Sequence, residues 1–239
     1  MAISIVGSAS STSGVDGTTE TLSHTVPAGS NRLLFVGIGL SAGTPGNVSG
    51  VTFNGDPMTQ AWNSLFGVTR SFGYYLVAPD ETTANIEVTF TGGVDEFAFG
   101  AVNFAGVDQG TPIGTPATGG TDTGTATVDV TSVANDVVID CVHAVATSIT
   151  VGAGQSSSSP GGWEVDNNSG TSSGSSTETA SGASTTMSWT LSAANDWAIG
   201  GVALKPAADA PAANDIPSSG NFGPGISQKP PHMIPSGAF

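Results

Sequence analysis

NRLLFVGIGL, residues 31–40, is the stretch on which the fold turns. From Leu33 to Leu40 every residue is apolar or glycine, so neither face of an extended segment offers water a polar side chain. Strand side chains alternate between two faces, and a short apolar run bounded by turn residues reads as a strand covered on both sides. The turn signal VPAGSN, residues 26–31, feeds directly into it. A second run, ANIEVTFTG at 84–92, alternates instead: Ile86, Val88 and Phe90 point one way, Glu87 and Thr89 the other. That pattern is a half-buried antiparallel strand, wet on one side.

Working outward, strands are expected at 3–7, 20–26, 32–41, 48–53, 59–65, 71–78, 85–90 and 97–104. More are expected at 125–130, 136–146, 148–152, 184–191 and 197–204. Gly, Pro, Asn or Asp separates them, and Asn54-Gly55 suits a two-residue type I′ hairpin turn. Composition agrees, with 34 glycines, many Ser and Thr, and only 10% charged residues, where about 25% is usual. The reading is an all-β fold: a two-sheet antiparallel β-sandwich, jelly-roll-like, over residues 1–205. Trp62, Tyr74, Trp189 and Trp197 fall in strand patterns and belong to its core. Residues 153–183, rich in Ser and Gly, read as long exposed loops around one short edge hairpin.

That hairpin carries the candidate glycan contact, Trp163, Glu164 and Asp166. Two carboxylates at i, i+2 share a strand face beside an aromatic ring, the kind of grouping sugar sites use. The bland alternative is a solvated hairpin anchored by its Trp. Elsewhere chemistry is thin. Cys141 and His143 share a strand face, but Asp140 faces the other way, so a nucleophilic set lacks its third member. Cys141 then reads as a small buried hydrophobe. GTSSG, 170–174, matches G-x-S-x-G without the strand and helix that a nucleophile elbow needs. His24, His143 and His232 are too separated for a zinc motif, and the turn acids Asp108, Asp122 and Asp136 form no calcium loop. The paired acids Asp80-Glu81 and Asp95-Glu96 are sequence neighbours, which in a strand point to opposite faces. No catalytic set, cofactor or metal is expected.

Nineteen acids against four bases give a formal charge of −15. Nucleic acids and anionic membranes need clustered Lys and Arg, so neither is an expected partner. No run reaches the length of about 18 apolar residues that suggests a membrane helix. MAISIVGSAS lacks the basic start and apolar core of a secretory signal, so synthesis in a cytoplasm and release by another route, such as lysis, is expected.

After Pro206 the pattern changes. Residues 206–239 hold seven of the fourteen prolines and no alternation. We read 206–215 as an Ala/Pro linker and 216–239 as an extended anchoring arm, with Ile216, Phe222, Ile226, Met233, Ile234 and Phe239 as apolar anchors. Pro-rich segments are pre-extended and lose little entropy on docking, and a segment that orders on binding covers much surface with few residues.

The ordered set LLFVGIGLSAGTPG, VTFNGDPMTQA, YYLVAP, ANIEVTFTGG, AVNFAGVDQGTPIGT and WAIGGVALKP resembles a β-sandwich module of tailed-phage virion proteins. Similar modules occur in uncharacterised proteins of environmental bacteria. The resemblance covers roughly residues 1–205 and implies a non-enzymatic structural role: a capsid decoration or cement subunit at the virion surface. The implied partners are the major capsid protein or sister subunits, in a homo-oligomer such as a trimer. The alternative, from another class, is a carbohydrate-binding module or a fibre or adhesin protein.

Overall fold

Leu33–Ser41 is a strand buried along its whole length, as its sequence requires. The structure, a computed structural model, describes residues 1–41, 46–92, 94–145, 147–167 and 171–208, without the side chains of residues 166 and 167. Among these residues there are strands and turns and no helix. The first half contains β1 (Ser4–Val15), β2 (Thr19–Thr25), β3 (Leu33–Ser41), β4 (Asn47–Phe53), β5 (Asp56–Pro57), β6 (Thr59–Phe66), β7 (Thr69–Val77), β8 (Thr83–Thr91) and β9 (Glu96–Ala105). The second contains β10 (Ala117–Thr121), β11 (Thr125–Thr131), β12 (Val137–Val145), β13 (Ile149–Val151), β14 (Trp163–Asn167), β15 (Thr171–Ser175), β16 (Thr177–Thr179), β17 (Ser184–Leu191) and β18 (Trp197–Leu204).

The all-β antiparallel sandwich expected from the sequence is present, and it occurs twice. In the first half a sheet of order β1-β9-β3-β7-β6 faces one of order β2-β8-β4-β5. In the second, β10-β18-β12-β15-β14 faces β11-β17-β13, with β16 also pairing β12. The orders 1-9-3-7 over 2-8-4 and 10-18-12-15 over 11-17-13 are one topology repeated, that of a jelly roll. The two larger sheets then pack on each other, giving four layers and three cores.

This stacking explains the opening run. Leu34, Val36, Ile38 and Leu40 of β3 pack against Val51, Phe53, Ile86 and Val88 of the outer sheet. Leu33 and Phe35 point the other way, into the middle core with Ile139, Val202 and Leu204. Each fully buried side chain of this size stabilises by roughly 1.5–3 kcal/mol. β8, in an outer layer, buries Ile86, Val88 and Phe90 and keeps Glu87 in water, as its alternation implied. Asn54 and Gly55 both have positive φ, 52° and 87°, and close β4 onto β5 in the expected hairpin.

One reading is corrected. Residues 171–177 are buried rather than looped out: β15 and β16 lie beside β12 in an inner sheet. The serines there pass for loop composition, yet their hydroxyls are bonded inside the protein. The last strand ends at Leu204, and the residues after it are tied to the body as far as Ala207. Pro206 bridges to Val107, and Ala207 bonds Gly106 and the N-terminal amine. The six arm positions Ile216, Phe222, Ile226, Met233, Ile234 and Phe239 lie outside the described residues.

Candidate functional site

A cluster of buried polar chemistry lies on β12, which has an inner sheet's place and is buried from Val137 to Ala144. Alternation sends Asp140 to one neighbouring layer, and Cys141 and His143 to the other. Asp140 accepts three hydrogen bonds: from the Ser176 backbone N–H at 2.6 Å, the Ser176 hydroxyl at 2.9 Å and Trp189 Nε1 at 2.8 Å. Trp189 belongs to β17 in the outer layer, so the carboxylate ties two layers together. Burial pushes the Asp140 carboxyl up to about 7, although all three donors favour its charged form.

On the opposite face, His143 Nε2 lies 2.8 Å from Ser41 Oγ of β3, and Nδ1 lies 2.6 Å from Ser173 Oγ of β15. A neutral imidazole has one donor and one acceptor, so it serves both serines and bridges the two inner sheets. Burial drives His143 down to about 3, which keeps it neutral. Burial, reinforced by the Asp140 charge, raises the Cys141 thiol well above the usual range, the reverse of what a reactive thiolate needs. Ser41, His143 and Ser173 have the spacing of a nucleophile, base and orienting group. Their exposures are 6%, 0% and 1%, and the relay sits between sheets, so this hydrogen-bonded chain joins layers.

Trp163 is 4% exposed and packed in the middle core with Phe35 and Trp62. Glu164, beside it on β14, is exposed, with its carboxylate 3.4 Å from Ser157 Oγ. It borders a groove of about 400 Å³ lined mainly by serines, among them Ser10, Ser11, Ser157 and Ser158. The Asp166 side chain lies outside the described residues. Of the expected trio, Trp163 is packed in the core with an edge on this groove, and Glu164 lines it beside Trp163.

The turn acids have local work. Asp108 accepts from the backbone N–H groups of Gly110 and Thr111, both at 2.8 Å, and these bonds hold its carboxyl below the ordinary range. Asp136 accepts from the Val133 N–H at 2.8 Å. Among the described residues no group of three His, Cys, Asp or Glu side chains could hold a metal ion. Ser172, the serine of GTSSG, lies within β15 and donates to the Thr147 carbonyl at 2.6 Å. Sequence reasoning placed Asp140 on the face opposite Cys141 but missed its pairing with Ser176 and Trp189. The available signal was an acid inside the apolar run VVIDCVHAV, since a buried acid demands donors. Trp62, Tyr74, Trp189 and Trp197 are all buried, as expected.

Comparison with family models, with curated proteins and with solved structures finds no match for this chain.

Proposed function

We propose that the protein is a non-enzymatic structural subunit of a virion surface, a capsid decoration or cement protein of a tailed phage, fastened by its C-terminal arm. The supporting observation is the use made of the reactive residue types. Asp140, Cys141 and His143 are sealed between layers, and Asp140 and His143 are committed to side-chain bonds that join sheets. A body of this kind works by presenting area and resisting unfolding. The negative charge keeps such bodies apart from one another and suits a basic partner surface. The arm supplies spaced apolar anchors beyond a body that ends at Ala208, and the partners it addresses are the major capsid protein or sister subunits.

The test compares the full chain with one ending at Ala208, each added to particles carrying the full chain's binding sites and pelleted with them. The shortened chain should keep its circular dichroism spectrum and lose at least tenfold in particle-bound fraction. Equal binding by the two chains removes the arm from the mechanism.

A further inference from the structure

The two inner sheets share one strand order, β1-β9-β3-β7-β6 and β10-β18-β12-β15-β14, and the halves meet through these sheets. Their contacts are reciprocal. β6 packs on β10 and β18, while β14 packs on β1 and β9. β7 packs on β18 and β12, while β15 packs on β9 and β3, and β3 meets β12 between them. Matching β1 with β10, β3 with β12, β6 with β14, β7 with β15 and β9 with β18 turns each contact into another in the set. That is the property of an isologous, two-fold interface, in which i touches j and j touches i.

Side chains follow the same rule. Trp62 of β6 covers Gly200 of β18, where an added Cβ would lie 2.2 Å from Nε1. Trp163 of β14 covers Gly100 of β9, where an added Cβ would lie 2.6 Å from Cδ2. Registers agree as well: Trp62 pairs Gly73 and Trp163 pairs Ser175, while Gly37 pairs Gly100 and Cys141 pairs Gly200. Symmetry is broken where β3 meets β12. A Cβ on Gly37 would lie 2.9 Å from Cys141 Cβ, and one on Gly39 would lie 2.7 Å from His143 Nδ1.

We infer that the chain is a covalently fused dimer of jelly rolls, whose inner face has diverged at its axis so that each half fits the other and not a second copy of itself. Two first-half faces would meet with hollows where Gly37 and Gly39 oppose their own copies. Two second-half faces would set Cys141 against Cys141 and His143 against His143, with no glycine seat to receive them. The face between the two inner sheets is filled from within the chain, so it is not open to a partner from outside. This inference rests on topology and register and stands apart from the virion reading.

The experiment moves one side chain across the axis in the full-length protein, in reducing buffer, with urea unfolding followed by Trp fluorescence. Gly37→Cys should lower the midpoint by crowding Cys141, and Cys141→Gly should lower it by opening a cavity. The double variant Gly37→Cys/Cys141→Gly places the thiol on the symmetry-equivalent side and should recover more than half of the summed losses. Losses that simply add, or a double variant that does not fold, overturn the inference. Gly37→Ala with Cys141→Gly runs the same cycle more gently should Gly37→Cys alone be too damaging to fold, and its outcomes carry the same meaning.

Discussion

Asp140 and His143 sit three residues apart on one strand, face different cores, and are shifted in opposite senses by the same cause, burial. For His143 the folded value, about 3, is below the ordinary 6.5, so its neutral form is favoured by folding. The stability this gives is full above 6.5 and is lost as pH falls toward 3, by about 1.4 kcal/mol per pH unit. Asp140 is raised from 3.8 to about 7. Its contribution is full below 3.8 and is lost as pH rises toward 7, at the same rate per unit. Between pH 4 and 6.5 the two slopes oppose each other, and the wild type should show little net dependence from this pair. His24, also lowered by burial, adds to the His143 side. Asp140→Asn removes one slope and should expose a rise in stability of at least about 1 kcal/mol from pH 4.5 to 6.5. Urea midpoints at four pH values in that window check it; an unchanged slope in Asp140→Asn contradicts the account. Asp140 was visible in the sequence, but its partners Ser176 and Trp189, 36 and 49 residues away, were not.

At the scale of elements, β9 and β18 carry the small residues that let the inner sheets approach. EFAFGAVNF at 96–104 and DWAIGGVAL at 196–204 share Ala, Gly and Val at matching places, Ala98 with Ala198, Gly100 with Gly200 and Val102 with Val202. The glycines are there for the indoles of the facing edge strands. Gly200→Ala should therefore cost about 1–3 kcal/mol, the usual range for overpacking a filled core. Gly182→Ala, with nothing within 4 Å of its added carbon, should stay within about 0.5 kcal/mol. Paired urea curves decide this, and equal effects from the two would mean the Trp62 contact is not tight. Strand existence was readable wherever apolar residues alternate or run together, as in β3, β8, β17 and β18. β15 and β16 were not readable, because Ser and Thr satisfied by interior acceptors have the composition of a loop.

For the whole molecule, the layers determine how the chain should unfold. The strands of β3, β7 and β9 line both the first core and the middle one, and β12 and β18 line both the middle core and the last. Losing either half would strip one face of the other half's inner sheet, so the three cores should melt together. Calorimetry of the full chain should show one transition with equal calorimetric and van't Hoff enthalpies; two resolved transitions would mean that the halves are thermodynamically independent. Sequence by itself determined that residues 1–205 are β-structure, that β3 is covered on both faces, that Asn54-Gly55 turns a hairpin, and that Cys141 and His143 look away from Asp140. All of these follow from local periodicity and backbone preference, which a strand carries within itself. What covers the second face of β3 was decided by tertiary structure alone. Burial on both faces is satisfied equally by one wide sandwich or by two stacked ones, and the choice lies in the pairing of residues a hundred positions apart.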